Sequence, residues 1–207
     1  MPRSIEFYFS MVSPWAYVGD KVFNEIVARH GVAVSYKPVR LPALFSETGG
    51  LPLPQRHPAR QAHRWYELQR WRAQRDIELN LQPKFWPFDF ALADKLVIAV
   101  IVAGHDPADL ISRGLRAIWV EEADLADQDT LERLAGEAGF EASALLASAA
   151  SEETEQHYQQ NLRDAVGAGV FGSPSVVMDG EVFWGQDRYE QLDAALGEGR
   201  DAYRVPG

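Results

Sequence analysis

The feature that most constrains the fold is a strand–helix–strand pattern at the start of the chain. Residues 5–9 (Ile-Glu-Phe-Tyr-Phe) are rich in β-branched and aromatic side chains, which is typical of a buried strand. Apolar residues then recur at helical spacing from Tyr17 to Val27, and Gly31 ends that pattern. Residues 32–39 alternate as a second strand does. Two strands joined by a helix pair in parallel, so the sequence predicts an opening β-α-β unit.

Helical patterns dominate the middle of the chain, after a loop rich in Pro and Gly at residues 42–58. The predicted helices are residues 63–75, residues 92–103, one that opens at Asp106-Pro107, one that opens with a capping-box pattern at residues 129–132, and residues 151–165. The segment 92–103 is nearly all apolar, so we expect a buried central helix. The segment 151–165 is polar, so we expect a surface helix.

Strand patterns return near the end of the chain. Residues 175–178 and 181–184 flank Asp179-Gly180, which predicts a hairpin with a type I′ turn. Residues 186–196 predict a last helix. A parallel unit completed by a distant hairpin and helix is a thioredoxin-like layout, an α/β fold with an all-helical insertion. We assign residues 1–41 and 168–207 to the thioredoxin-like domain and residues 42–167 to the helical insertion domain.

Composition excludes several functions. The chain of 207 residues has no cysteine, so a disulfide framework, a Cys-X-X-Cys redox pair and a thiol nucleophile are absent. The net charge of -10 argues against a nucleic-acid partner. The five histidines lack metal-ligand spacing, so we expect no metal. The longest apolar stretch, residues 96–103, is too short for a membrane span, and no run of signal-peptide character opens the chain. We therefore expect a cytoplasmic protein without a membrane partner.

Ser13-Pro14 lies at the first strand–helix junction and has two interpretations. Serine is a preferred N-cap and proline is favoured in the first helical turn, so the pair can be purely structural. The same junction presents free N–H groups and the positive end of a helix dipole, which suit an anion. In a thioredoxin-like layout, Ser13-Pro14-Trp15-Ala16 would stand where a Cys-X-X-Cys pair usually does.

Ser173-Pro174 precedes the predicted hairpin and also has two interpretations. The pair can form an ordinary turn before an edge strand. Alternatively, a cis proline bends the backbone and exposes the N–H and C=O of Ser173 to an extended peptide. We predict that Pro174 is cis and that Ser173 faces the same cleft as Ser13.

A local basic cluster stands out in this acidic chain. Its members are Arg56, Arg60, Arg64, Arg70, Arg72 and Arg75. A solvated helix face explains most of them, but such a cluster beside a loop can also hold carboxylates by forked hydrogen bonds.

Several of these segments together resemble one family. The matching residues, in order, are Phe7-Tyr8-Phe9, Ser13-Pro14-Trp15-Ala16-Tyr17, Lys37-Pro38-Val39, Arg70-Trp71, Gly169-Val170-Phe171-Gly172-Ser173-Pro174 and Phe183-Trp184-Gly185-Gln186-Asp187-Arg188. They are similar to the 2-hydroxychromene-2-carboxylate isomerase branch of the kappa-class glutathione transferases, which have a DsbA-like thioredoxin fold. The similarity spans nearly the whole chain, and its C-terminal segment is the most specific part.

The resemblance implies glutathione as the cofactor and Ser13 as the catalytic residue, whose hydroxyl favours the thiolate of glutathione. It also implies a set of glutathione-binding residues: Arg60, Glu67, Ser173, Pro174, Gln186 and Asp187. In the family a carboxylate at the position of Glu67 reaches across a homodimer. Gly50 stands where the family often has asparagine.

The resemblance therefore implies a glutathione-dependent isomerase of an aromatic-catabolism intermediate that is like 2-hydroxychromene-2-carboxylate. Its small aromatic substrate would lie against Trp15, Phe85, Trp86 and Phe88, although plain core packing explains these residues equally well. Two other functions stay open. One is a kappa-class-like glutathione transferase that conjugates an electrophile, and the other is a non-catalytic thioredoxin-like module that binds peptides.

Overall fold

The computed structural model describes residues 3–206. Its strands are β1 (Ser4–Phe9), β2 (Ala33–Pro38), β3 (Ser175–Met178) and β4 (Glu181–Trp184). Its helices are α1 (Pro14–His30), α2 (Leu41–Thr48), α3 (Pro58–Arg75), α4 (Ala91–Val102), α5 (Ala108–Trp119), α6 (Gln128–Glu137), α7 (Ala142–Ala149), α8 (Glu152–Gly167) and α9 (Tyr189–Glu198). Short 3-10 turns lie at Leu53–Gln55 and Gln186–Arg188.

The strands form one mixed sheet in the order β2-β1-β3-β4. β1 pairs in parallel with β2 and antiparallel with β3, so that Phe7 lies opposite both Tyr36 and Val176. β3 and β4 form the expected antiparallel hairpin. Its turn residues Asp179 and Gly180 both have positive φ, of 51° and 85°, as a type I′ turn requires. The predicted β-α-β unit and hairpin are thus confirmed, and the fold is the predicted α/β thioredoxin-like one.

The two faces of β1 contribute to different parts of the core. Phe7 stacks on Phe9 and on Phe23 of α1, with ring centroids 4.9 and 4.2 Å apart. Tyr8 points to the other face, into a smaller buried cluster with Leu44 of α2 and Ala165 of α8. Because successive side chains of a strand point to opposite faces, β1 packs against helices on both faces of the sheet.

Helix α1 approaches the C-terminal segment very closely at Gly19. A Cβ atom at this position would meet a ring carbon (Cε2) of Tyr189 at 2.5 Å and Cβ of Gln186 at 2.6 Å. Gly19 is therefore required by contact rather than by backbone conformation. It lets α1 pack against the segment that follows β4.

The Gly19→Ala substitution should lower the free energy of unfolding by about 1–3 kcal/mol, because the extra methyl group overpacks this contact. Gly136→Ala is the matched control, since Gly136 is helical and a Cβ there meets nothing within 4 Å. We expect that control to raise stability by about 0.5–1 kcal/mol, as alanine loses less backbone entropy. Urea unfolding of both variants measures the difference, and equal effects would contradict the contact.

The structure corrects several predicted boundaries in the middle of the chain. The predicted loop 42–58 contains α2 and a 3-10 turn, because Pro42 lies in a first helical turn, where proline is tolerated. The helix predicted at 63–75 begins at Pro58, since the His57 ring accepts a hydrogen bond from the backbone N–H of Ala59. The helix predicted from a capping box at 129–132 is capped instead by Asp127, whose carboxylate accepts from Thr130 N at 2.9 Å.

Other predicted helices match the structure more closely. The apolar segment 92–103 forms the buried helix α4. The segment 151–165 lies within α8, which is polar but buries Thr154, Tyr158 and Ala165. The last helix, predicted from residue 186, starts as a 3-10 turn and becomes α-helical at Tyr189. The domain boundaries proposed from the sequence remain a prediction.

Across residues 3–206, no helix has both the length and the apolar character needed to cross a membrane. In the same part of the chain, no group of three or more His, Asp or Glu side chains is placed to hold a metal ion.

Candidate active site

Ser13 is buried at the N-terminus of α1, directly after β1 and its loop. Its Oγ accepts a hydrogen bond from the backbone N–H of Ala16 at 3.3 Å, so it is the N-cap. The same hydroxyl donates to the backbone oxygen of Ser173 at 3.2 Å. Pro14 occupies the first helical turn. The structural role is therefore real, and it places a hydroxyl donor at the positive end of a helix of 17 residues.

The loop before β3 faces this hydroxyl. The Ser173–Pro174 peptide bond is cis, as predicted. Ser173 contacts the β1–α1 loop twice, since its Oγ accepts from the backbone N–H of Ser10 at 3.2 Å and its carbonyl accepts from Ser13. Ser173 thus lies beside Ser13, as predicted, while the glutathione cleft that the two residues would share remains a prediction. A backbone carbonyl, a hydroxyl and a helix N-terminus converge at one point.

A fully buried carboxylate holds the β1–α1 loop from behind. Asp94, in the first turn of α4, accepts hydrogen bonds from Ser10 Oγ at 2.9 Å, from the Met11 backbone N–H at 2.8 Å and from the Tyr158 hydroxyl at 2.6 Å. Burial raises the pKa of Asp94 to about 7, against the lowering effect of these hydrogen bonds. Asp94 thereby fixes the two residues that lead into Val12 and Ser13.

Asp94 and its partner Tyr158 are functional candidates that were not predicted from the sequence. A signal was present, since an acidic residue in a nearly all-apolar helix is rarely buried without a specific partner. The partners lie 84 and 64 residues away, however, and no local pattern joins them.

The raised pKa of Asp94 predicts how stability changes with pH. An aspartate in the unfolded chain titrates at its ordinary value of 3.8, and the folded one at about 7. The folded state therefore holds the extra proton between these values, and the stability this contributes is lost as the pH rises through about 7. We expect the free energy of unfolding to fall over this range more steeply in the wild type than in Asp94→Asn. Urea unfolding at several pH values measures both slopes, and parallel curves would contradict the assignment.

Gln186 and Asp187 follow β4 through Gly185, which has a φ of 95°. Gln186 is buried, and its carboxamide oxygen accepts from Arg75 Nη2 at 3.1 Å. Arg75 also pairs with Glu190, with nitrogen and oxygen 2.9 Å apart. The side chain of Gln186 therefore serves the fold. The carboxylate of Asp187 is 40% exposed and pairs with its neighbour Arg188 at 3.0 Å.

The two predicted charged residues of α3 differ in their surroundings. Arg60 is exposed near the start of the helix. Glu67 is half-buried and accepts a hydrogen bond from Arg70, one turn away, while His63 Nε2 lies 3.7 Å from it. The structure places neither in contact with Ser13 or Ser173. Their predicted roles toward glutathione remain predictions.

The aromatic residues of the predicted substrate pocket lie in three different surroundings. Trp86 reaches the β1–α1 loop, where its indole N–H donates to the carbonyl of Val12 at 3.2 Å. Trp15 and Phe88 are half-buried and pack against the main core. Phe85 is exposed, with Lys84 Nζ 4.8 Å from its ring centroid. Trp86 is thus the residue of this set that the fold ties to the loop before Ser13.

The fold and the junction define a class of protein: a thioredoxin-fold protein in which serine stands at the position of the redox cysteines. The model of the DSBA-like thioredoxin domain matches residues 4–197, and the chain belongs to that family. The predicted resemblance is confirmed within it.

Relatives include a 2-hydroxychromene-2-carboxylate isomerase of Sphingobium xenophagum, 28% identical, which covers 95% of this chain and 99% of the relative. A glutathione S-transferase kappa 1 of Caenorhabditis elegans is 27% identical and covers 93% of this chain and 89% of the relative. Among solved structures, a 2-hydroxychromene-2-carboxylate isomerase superposes with a TM-score of 0.82 at 20% identity, over 94% of this chain and 95% of that one. The cytosolic disulfide reductase DsbM from Pseudomonas aeruginosa with GSH gives 0.68 at 18% identity, over 95% and 98%. The curated relatives are thus isomerases and glutathione transferases.

Proposed function

We propose that this protein is a glutathione-dependent isomerase of an aromatic-catabolism intermediate that is like 2-hydroxychromene-2-carboxylate. The observation that carries the proposal is the hydroxyl of Ser13, which is held at the N-terminus of α1 and aimed at the Ser173 carbonyl. The names of the curated relatives support it, because they include both isomerases and kappa-class glutathione transferases.

Polar groups at the junction, in the turn after β4 and on α3 suit glutathione. The Ser173 carbonyl, beside Pro174, would accept the cysteinyl N–H, as in the addition of a short strand. The partly exposed carboxylate of Asp187 suits the ammonium of the γ-glutamyl end, and the backbone of Gln186 lies beside it. On α3, exposed Arg60 suits a carboxylate.

Binding of glutathione would replace one hydrogen bond within the protein by two hydrogen bonds to the ligand. The hydroxyl of Ser13 now donates to the Ser173 carbonyl. It would turn to the sulfur, while the freed carbonyl would accept from the cysteinyl amide. Each group keeps a partner, so the exchange leaves no buried polar atom unsatisfied.

When bound, glutathione would supply a thiolate nucleophile for reversible addition to the conjugated substrate, in which the carbon–carbon bond could then rotate as a single bond. The protein's own contribution is electrostatic and geometric. The Ser13 hydroxyl and the N-terminus of α1 lower the thiol pKa by favouring the charged form. Asp94 fixes the loop that orients Ser13.

The substrate's aromatic body would lie against Trp86, with Trp15, Phe85 and Phe88 as further candidates. We also propose a cytoplasmic homodimer in which Glu67 contributes to the glutathione site of the partner subunit. Glu67 already accepts from Arg70, so its carboxylate is held in one orientation for that role.

A glutathione transferase is the second candidate function, favoured by the relatives named glutathione S-transferase kappa 1. The two reactions differ in their products. An isomerase returns glutathione unchanged and converts one isomer of the substrate to another, whereas a transferase consumes glutathione and releases a thioether.

Incubation with 2-hydroxychromene-2-carboxylate and glutathione separates these candidates when chromatography with absorbance detection follows the isomer, mass spectrometry the conjugate, and a free-thiol count the glutathione. We expect the isomer to form with the thiol count constant. A stable conjugate with loss of thiol would establish the transferase instead. Peptide capture without any glutathione binding would support the non-catalytic module.

A further inference from the structure

A buried guanidinium beside the candidate active site has no hydrogen-bond partner among the described residues. Arg64 on α3 is 9% exposed, and both its Nη1 and Nη2 atoms are buried without a hydrogen-bond partner among the described residues. Other arginines of the basic cluster are satisfied, since Arg70 pairs with Glu67 and Arg75 with Glu190. A buried charge without a hydrogen-bonded counter-ion is costly, so Arg64 is a candidate to bind an anionic ligand.

The guanidinium of Arg64 lies against two tryptophan rings. Its guanidinium carbon lies 4.9 Å from the ring centroid of Trp86 and 5.2 Å from that of Trp65. Burial, with Arg56 nearby as the smaller cause, lowers the pKa of Arg64 to about 10. The group therefore stays positively charged at neutral pH, held against two indole faces.

Trp86 connects Arg64 to the candidate active site. The indole N–H of Trp86 donates to the Val12 carbonyl, one residue before Ser13, while its ring lies against Arg64. Trp86 therefore joins the buried guanidinium to the loop that leads into Ser13.

We propose that Arg64 binds the carboxylate of a planar aromatic acid whose ring packs against Trp86. A guanidinium offers two parallel N–H donors, so Nη1 and Nη2 match the two oxygens of a carboxylate. Both atoms are closed to solvent, so the carboxylate would enter by displacing the Trp86 ring that lies over the guanidinium. The pairing would satisfy both orphan nitrogens and neutralise the buried charge. Arg64 would thus select substrates that carry a carboxylate. The inference about binding is independent of the proposed function, and only the reaction that follows binding rests on it.

Calorimetric titration with trans-cinnamate tests this without glutathione, and cinnamamide is its uncharged twin. We expect the wild type to bind cinnamate at least about tenfold more tightly than cinnamamide, since a charged pair replaces a neutral contact. Arg64→Met should weaken cinnamate binding by about tenfold or more and leave cinnamamide binding unchanged. Arg72→Met, an exposed arginine on the same helix, is the matched control and should bind both like the wild type.

Thermal unfolding separates a binding role from a structural one. Removing an unpartnered buried charge should leave the melting temperature of Arg64→Met equal or higher, whereas a structural arginine would lower it. Saturating cinnamate should raise the melting temperature of the wild type and not of the variant. Arg64→Lys keeps the charge without the fork and should lose several-fold in cinnamate affinity.

Three results would overturn the inference. One is equal affinity of the wild type for cinnamate and cinnamamide, and another is cinnamate binding by Arg64→Met at wild-type strength. The third is that Arg64→Met weakens the binding of glutathione but not that of cinnamate, which would assign Arg64 to a carboxylate of that peptide. Failure of glutathione catalysis with intact cinnamate binding would overturn only the proposed function.

Discussion

Replacing Ser13 by alanine is expected to slow the glutathione-dependent reaction by about ten- to a hundredfold. The hydroxyl would donate a charge-assisted hydrogen bond to the thiolate, and its loss removes that stabilisation. The pKa of bound glutathione should rise for the same reason, which ultraviolet absorbance of the thiolate against pH reports. Stability should also fall by about 1 kcal/mol, since the Oγ of Ser13 caps α1.

Two controls separate the cap from the catalyst. Ser151 caps α8 in the same way, with its Oγ accepting from Thr154 N at 3.2 Å. Ser151→Ala should therefore cost similar stability and leave the rate unchanged. Ser13→Asn keeps a good cap but puts an amide where the hydroxyl was. If Ser13→Ala lowers only the melting temperature, with rate and thiolate pKa intact, Ser13 is a cap and nothing more.

The Asp187→Asn substitution is expected to weaken glutathione binding by about tenfold, because it removes the charge opposite the γ-glutamyl ammonium. The amide is nearly isosteric, so the 3-10 turn at Gln186–Arg188 should persist. The effect should lie in the KM for glutathione, with kcat near its wild-type value.

The same ion pair can also be removed by changing the ligand, through loss of its ammonium charge. N-acetylglutathione lacks the charge, so it should bind the wild type and Asp187→Asn with equal, weakened affinity. Glu198→Gln, an exposed change on α9, should bind glutathione as the wild type does. An equal loss for both ligands in Asp187→Asn would show that the carboxylate acts elsewhere.

Local patterns in the sequence were sufficient for the sheet and for the junction. β-branched and aromatic runs located the strands, and Asp179-Gly180 predicted the turn that the structure has. The predicted approach of Ser173 to Ser13 is also found, because strand order brings the end of β1 beside the start of β3.

Contacts between distant segments were out of reach of such patterns. Asp94 contacts Ser10 across 84 residues, and Arg75 contacts Gln186 across 111. Helix α2 was missed because its proline and the following glycine are typical of a loop, although proline is tolerated in a first helical turn. The burial of Arg64 depends on Trp86 folding back onto α3, which no spacing in either segment predicts.

Calorimetric titration of the protein with glutathione, in two buffers of different ionisation enthalpy, tests the central claim most directly. We predict saturable binding with release of a proton near neutral pH, since the site favours the thiolate. The sulfur-free analogue γ-glutamyl-alanyl-glycine should bind without proton release. Absence of binding at millimolar glutathione, or the same proton release with the sulfur-free analogue, would contradict a thiolate site at Ser13.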